Sequence, residues 1–117
     1  MKIVDKIIFY NLPNGTLFSH YEPVVFNGLK IKGDTIYNGI EPIDYFYTDL
    51  IGNIQSNSSE EFIDKLDNAK DNSLELDFER SERDGLYEED SLFAIYENND
   101  LINFIKTLEN CKKNDSL

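Results

Sequence analysis

Residues 14–39 read NGTLFSHYEPVVFNGLKIKGDTIYNG, and three Asn-Gly pairs divide this stretch into runs rich in β-branched and aromatic residues. Asn and Gly both accept the positive φ angles that two-residue hairpin turns require. Together with the run that precedes them, they predict three strands, over residues 2–10, 16–26 and 29–37. Pro23 lacks a backbone donor, so we expect the second strand to break or lie at an edge there. Gly33 and Asp34 are expected to bend the third strand.

After the third Asn-Gly pair, apolar residues recur at spacings of three and four, which predicts an amphipathic helix over residues 42–55. Pro42 suits the start of such a helix, because proline is tolerated in the first turn. The apolar face would contain Ile43, Phe46, Tyr47, Leu50, Ile51 and Ile54. The opposite, solvent-facing side would present Asp44, Tyr45, Thr48 and Asp49.

Two further helices are predicted from local signals. The spacing of Ser58 and Glu61 is that of a capping box, in which each side chain satisfies a backbone N–H group of the other. It predicts a helix over residues 59–68 that buries Phe62, Ile63 and Leu66. A C-terminal helix is expected to begin after Asn99 or Asp100. Its apolar side would carry Leu101, Phe104, Ile105, Leu108 and Cys111.

Between these helices the apolar period changes to two, which predicts a hairpin. Leu74, Leu76 and Phe78 alternate with Glu75, Asp77 and Glu79, as in a half-buried strand. Asp84-Gly85 offers a turn, and pairing of Arg83 with Leu86 would complete it. That register places Leu76 opposite Phe93, Leu74 opposite Ile95 and Arg80 opposite Glu89. A longer loop through residues 88–90 is the alternative.

These elements predict one α+β domain over residues 1–113, in the order β-β-β-α-α-β-β-α. One mostly antiparallel sheet would carry the helices packed on it. Residues 114–117 are expected to form a frayed C-terminal tail. A length of 117 residues suits a single hydrophobic core.

The negative charge is concentrated in one part of the chain. Between Glu60 and Asp90 there are thirteen acidic and four basic residues, whereas the whole protein has a net charge of −12. A folded acidic surface favours a basic partner, because its field raises the partner's local concentration. It disfavours direct binding of nucleic acid or of an anionic membrane.

Residue types that carry catalysis or bind metals are scarce. His20 is the sole histidine and Cys111 the sole cysteine, too few for a zinc site. The acidic residues lack EF-hand spacing, and the glycines are spread as turn residues. We therefore expect no enzymatic activity, no cofactor and no metal. With one cysteine and no long apolar segment, a cytoplasmic location is expected.

Two surfaces are candidates for partner binding. The first lies on the predicted hairpin, where carboxylates can receive arginine and tyrosine adds rigid contact area. Its members are Glu75, Asp77, Glu79, Glu82, Asp84, Tyr87, Glu88, Glu89 and Asp90. The second, on the predicted helix, includes Asp44 and Tyr45. For both, the simpler interpretation is a solvated face that keeps the protein soluble.

A small α+β domain, an acidic segment between Glu60 and Asp90, and tyrosines at positions 45 and 87 give this chain a recognisable profile. It resembles the immunity proteins of bacterial toxin systems, including contact-dependent growth inhibition and colicin-like nucleases. The resemblance implies a non-enzymatic cytoplasmic protein that neutralises a cognate basic toxin domain, for example a nuclease, by occlusion.

The alternative is a DNA mimic, such as an anti-restriction or anti-CRISPR inhibitor of a nucleic-acid-binding protein. Such a protein would hold carboxylates at phosphate-like spacing along an extended surface. Arg80 and Arg83 interrupt the acidic segment, which argues against that class.

Overall fold

The computed structural model describes residues 1–86 and 88–113, with the backbone alone at position 113. They form an antiparallel six-stranded sheet with strand order β1-β6-β2-β3-β4-β5, and three helices. The predicted α+β class and antiparallel sheet are confirmed. The elements are β1 Lys2–Asp5, α1 Lys6–Tyr10, β2 Leu17–Glu22, β3 Val25–Asn38, β4 Glu41–Asp49, α2 Ser59–Asn68, β5 Ser81–Arg83, β6 Leu92–Ile95 and α3 Asn98–Lys113. The predicted frayed tail, residues 114–117, lies outside the described residues.

The first predicted strand is divided between β1 and the short helix α1. The Asp5 side chain accepts a hydrogen bond from the Ile8 N–H at 2.9 Å, and this cap begins the helix. Helical geometry then turns Phe9 and Tyr10 inward, where both are buried. An uninterrupted strand over residues 2–10 was therefore the wrong interpretation of this apolar run.

The turn between β2 and β3 lies at Pro23-Val24 and not at Asn27-Gly28. Glu22 pairs with Val25, and Val24 adopts a φ of 64°, which is strained for a β-branched residue. The Val24 N–H donates to the Tyr21 hydroxyl at 3.2 Å and helps to hold this conformation. The second Asn-Gly pair lies instead at a bulge in β3.

Residues 42–55 do not form a helix, because β4 occupies the first half of this range. It pairs with β3 through a two-residue turn at Gly39-Ile40. The register shifts twice along this pair, because β3 has an extra residue at Gly33-Asp34 and β4 has one at Ile43. The bulge at Ile43 breaks the period-two alternation of β4, so the apolar spacing imitates a helix. The bend expected at Gly33-Asp34 is confirmed.

The α2 prediction is confirmed in its bounds and its cap. The Ser58 hydroxyl accepts a hydrogen bond from the Glu61 N–H at 3.1 Å, and the Glu61 carboxylate accepts one from the Asn57 N–H at 2.9 Å. The expected burial of its apolar side chains is wrong. Phe62, Ile63 and Leu66 all remain exposed.

The predicted hairpin of residues 74–95 is wrong, because its two arms join different parts of the sheet. Residues 74–79 run as irregular chain, and β5 pairs with β4. β6 inserts between β1 and β2, where Phe93 and Ile95 are buried. Leu76 is exposed and does not face Phe93, and Arg80 pairs with Glu82 rather than Glu89, at 2.9 Å. A strand buried on both faces has no alternation that would reveal its neighbours.

The predicted C-terminal helix α3 is confirmed, but the predicted burial of its apolar side is not. It begins at Asn98, and the Asp100 carboxylate accepts a hydrogen bond from the Glu97 N–H at 2.8 Å. Phe104, Ile105, Leu108 and Cys111, expected on a buried face, are exposed.

The core lies between α1 and one face of the sheet and is mainly aromatic. The ring of Phe9 stacks on Phe93 at 3.9 Å and meets Phe18 and Tyr45 edge to face, each at 4.8 Å. Such contacts add to the hydrophobic gain of burying large rings. A five-residue helix thereby anchors the centre of the sheet.

Replacing the Phe9 side chain should therefore destabilise the protein strongly. We expect Phe9→Ala to lower the free energy of unfolding by about 3–5 kcal/mol, because it leaves a cavity among three rings. Ile7→Ala in the same helix is the matched control, since Ile7 is 74% exposed. Urea denaturation of both variants tests this, and equal losses would contradict the assignment of Phe9 as the anchor.

Candidate functional site

An open groove of about 740 Å³ lies beside the core, and we call it the His20 groove. Its described lining comes from β2, β3, β4, the β2–β3 turn, the chain after β5 and the first residue of β6. These residues are His20, Tyr21, Glu22, Pro23, Asn27, Lys30, Tyr47, Asp84, Leu86, Glu88, Glu89, Asp90, Ser91 and Leu92. Five of them are acidic, and Lys30 is the one lysine or arginine among them.

Three side chains from distant parts of the sequence meet at one end of the groove. The Tyr45 hydroxyl lies 3.1 Å from Asp84 Oδ1 and 3.0 Å from His20 Nε2. A carboxylate only accepts, so Tyr45 donates its proton to Asp84. His20 then donates from Nε2–H to the phenol oxygen, which fixes one tautomer of the neutral ring. The result is a directed chain from imidazole through phenol to carboxylate.

Burial keeps the His20 ring of this hydrogen-bonded cluster in its neutral form. Desolvation, followed by the nearby charge of Lys30, lowers the pKa of His20 below its ordinary value, although Asp84 opposes this. Burial and then Asp84 raise the pKa of Tyr45 far above the ordinary range of a phenol. Tyr45 therefore acts as a hydrogen-bond donor at every physiological pH.

The buried carboxylate of Asp44 positions the segment after β5 that carries Asp84. It accepts hydrogen bonds from Arg83 Nε at 2.5 Å, from the Tyr45 N–H at 2.9 Å and from the Gly85 N–H at 3.2 Å. Burial alone would raise the pKa of Asp44, but these donors outweigh it and lower the pKa. Asp44 thus remains an anion that joins β4 to both sides of Asp84.

The rim of the groove is acidic and exposed. Glu88, Glu89 and Asp90 lie in the loop before β6, and Leu86, 64% exposed, adds an apolar contact. The Lys6 ammonium donates to the Glu88 carbonyl oxygen at 2.5 Å, which ties this loop to α1. The rim therefore presents its carboxylates from a tethered segment.

The opposite wall pairs a cation with an aromatic ring. Lys30 Nζ lies 4.5 Å from the ring centre of Tyr47, and the Tyr47 hydroxyl donates to Glu82 at 3.3 Å. Burial, followed by the charge of Glu82, raises the pKa of Tyr47 to about 12. On this wall the Lys30 ammonium contacts the Tyr47 ring, whereas the rim leaves its carboxylates exposed to solvent.

Three of the remaining acidic candidates line a separate groove of about 470 Å³, which we call the α2 groove. Glu75, Asp77 and Glu79 lie there with Lys65 of α2. Asp77 Oδ1 accepts hydrogen bonds from the backbone N–H groups of Glu79 and Arg80, which lower the pKa of this carboxyl. Asp77 is thus turned toward its own backbone.

The structure divides the residues predicted for partner binding. Asp84, Glu88, Glu89 and Asp90 line the His20 groove, Glu75, Asp77 and Glu79 line the α2 groove, and Glu82 lies on β5 between these segments. Tyr87 lies outside the described residues. The second predicted surface is wrong, because Asp44 and Tyr45 are buried in β4 and not exposed on a helix.

Sequence reasoning missed the cluster of His20, Tyr45 and Asp84. Their separations of 25 and 39 residues follow no local period, and His20 stood out only as the sole histidine. Among the described residues, no group of three or more His, Cys, Asp or Glu side chains is arranged to hold a metal ion. In the same part of the chain, no helix combines the length and apolarity needed to cross a bilayer.

The lowered pKa of His20 predicts a pH dependence of stability. Below an unfolded-state pKa near 6.5, the unfolded chain binds a proton that the folded protein resists. The free energy of unfolding must therefore decrease as the pH is lowered. One such proton gives a slope of at most about 1.4 kcal/mol per pH unit. Urea denaturation between pH 7.5 and 5.5 measures it. His20→Asn should flatten this slope, and an unchanged slope would contradict the assignment.

The role of Asp44 predicts a large cost for a small chemical change. Asp44→Asn should lower the free energy of unfolding by about 1.5–3 kcal/mol, because it removes a charge-assisted hydrogen bond at a buried site. Glu82→Gln is the control, since its pair with Arg80 is half-exposed and such pairs contribute about 1 kcal/mol or less. Denaturant titrations of both variants decide the matter, and equal effects would argue against a clamp at Asp44.

Comparisons with protein-family models, with curated proteins and with solved structures returned no match for this chain. The site is therefore interpreted from its own geometry and charge.

Proposed function

We propose that this protein is an immunity protein that binds a cognate basic toxin domain and neutralises it by occlusion. The observation that carries the proposal is the charge of the His20 groove, where five acidic residues face one lysine. Such a groove attracts an arginine or lysine side chain and repels anions. A location in the cytoplasm and the absence of catalysis belong to the same proposal.

The arrangement of the groove suits a cationic side chain with an apolar stem. Exposed carboxylates at Glu88, Glu89 and Asp90 would receive the charged head, with the bidentate geometry that guanidinium favours. Leu86 and Leu92 would contact the methylene groups. In a nuclease, the arginines and lysines that grip phosphate would then be occupied by this rim, which prevents substrate from binding.

Tethering of the rim supports tight binding. The Glu88 carbonyl oxygen accepts hydrogen bonds from Lys6 at 2.5 Å and from the Ser91 hydroxyl at 3.2 Å. A loop held in this way loses little conformational entropy when a partner binds. The α2 groove offers less, because Asp77 is committed to its own backbone and Lys65 supplies an opposing charge.

The alternative of a DNA mimic has weaker support. A mimic needs an extended row of uncompensated carboxylates, but Arg83 pairs with Asp44 and Arg80 pairs with Glu82. These pairs interrupt the acidic segment at β5. We therefore favour a localised docking site for a basic protein.

The proposal predicts that rim charges accelerate association. We would purify the toxin-like domains encoded beside this gene, test each for binding, and measure association rates by stopped flow. Reversing both Glu88 and Glu89 to Lys should slow association about tenfold or more at low ionic strength, with a smaller effect at high salt. Asp64→Lys with Asp71→Lys is the control, because it makes the same charge change at exposed positions outside the groove lining.

Equal slowing by both double variants would show that only net charge matters, and no slowing by either would exclude electrostatic docking at the rim. Failure of the unaltered protein to bind any such domain would overturn the toxin proposal itself.

A further inference from the structure

Helix α3 carries an apolar stripe that lies outside the core. Ile105 and Leu108 are 57% and 65% exposed, and Ile102 is exposed on the flank of the stripe. Phe104 rests against Tyr96, with ring centres 5.4 Å apart, so the first turns are near the sheet. The stripe then continues toward the C-terminus on the solvent side. Contiguous exposed apolar surface of this kind commonly marks an interaction site.

The charges of α3 are distributed unequally along its length. At its beginning, the carboxylates of Glu97 and Asp100 lie 3.4 and 2.7 Å from the Met1 amine, which compensates one of the two. Its second half carries Lys106, Glu109, Lys112 and Lys113, three positive charges and one negative, for a net charge of +2. The helix is thus negative near its N-terminus and positive near its C-terminus.

This distribution points to a partner helix of the same composition running in the opposite direction. In an antiparallel pair, Lys112 of each helix lies near the other copy's cluster of Met1 amine, Glu97 and Asp100, whose net charge is −1. The two helix dipoles are also antiparallel. A parallel pair would place like charges together at both ends. A second copy of this chain therefore has the complementary surface.

We propose that two copies of this protein associate through antiparallel pairing of their α3 helices. The interface is isologous, since the same stripe serves both protomers. It buries Leu108 of each helix against the first turns of its partner. The proposal is independent of the toxin hypothesis, because α3 contributes no residue to the lining of the His20 groove.

The net charge of −12 on each copy opposes association but does not prevent it. At an ionic strength of 0.15 M the Debye length is about 8 Å, so carboxylates far from the helix pair are largely screened. The charges at the helix ends are close to their partners and are screened less. Association should therefore be measured at physiological salt.

Sedimentation equilibrium over a wide concentration range tests the dimer. We expect a monomer–dimer equilibrium for the unaltered protein, and Leu108→Glu should raise its dissociation constant about tenfold or more. Ile40→Glu is the matched control, because Ile40 is 98% exposed in the β3–β4 turn. Since both residues are exposed in the protomer, neither variant should unfold it, and circular dichroism checks this.

The direction of pairing is tested by oxidative cross-linking. With the two-fold axis near Lys106, the two Cys111 residues of the pair lie about 15 Å apart along the helix axis. This distance is beyond the reach of a disulfide. A cysteine placed by Ile105→Cys, in a Cys111→Ser background, lies beside the axis. We expect cross-linked dimer from the Ile105→Cys protein and little from the protein that retains Cys111.

Three results would overturn the proposal. A purely monomeric unaltered protein would exclude the dimer. Equal weakening by Leu108→Glu and Ile40→Glu would exclude α3 as the interface. Efficient cross-linking through Cys111 as well as through position 105 would establish parallel pairing, because a parallel pair places each residue beside its own copy.

Discussion

The buried carboxylate of Asp44 is the interaction on which the groove depends. It receives hydrogen bonds from Arg83 Nε, the Tyr45 N–H and the Gly85 N–H, so one side chain joins β4 to β5 and to the segment that follows. β5 has only three residues and lies at the edge of the sheet, so its ladder alone holds it weakly. A buried anion is costly unless donors surround it, and this requirement holds the three segments together.

That constraint brings Asp84 to the Tyr45 hydroxyl, and Tyr45 in turn reaches His20 across the sheet. The end of the groove is thereby ordered, with the Asp84 carboxylate held by Tyr45, while the rim at Glu88 and Glu89 stays charged and exposed. A groove with an ordered end and an anionic rim suits a long cationic side chain, whose stem is apolar and whose head is charged. The structure gives the acidic segment a shape as well as a charge.

Local features were predictable because a few neighbouring residues encode them. The cap at Ser58 and the bend at Gly33 depend on hydrogen bonds or backbone freedom within four positions. The predicted helix over residues 42–55 failed because residues 42–49 belong to β4, whose alternation a bulge at Ile43 disturbs. Gly85 adopts the left-handed φ of 67° that the predicted turn needed, but β5 before it pairs with β4 and not with the strand that follows.

Composition and short-range pattern were enough to establish an acidic, strand-rich α+β protein, because charge and backbone preference are properties of residues and their near neighbours. They were not enough to place β6 between β1 and β2, or to bring His20, Tyr45 and Asp84 together. Strand order depends on which apolar faces exclude water together over the whole chain. The site follows from that order, so it became visible only when the chain was folded.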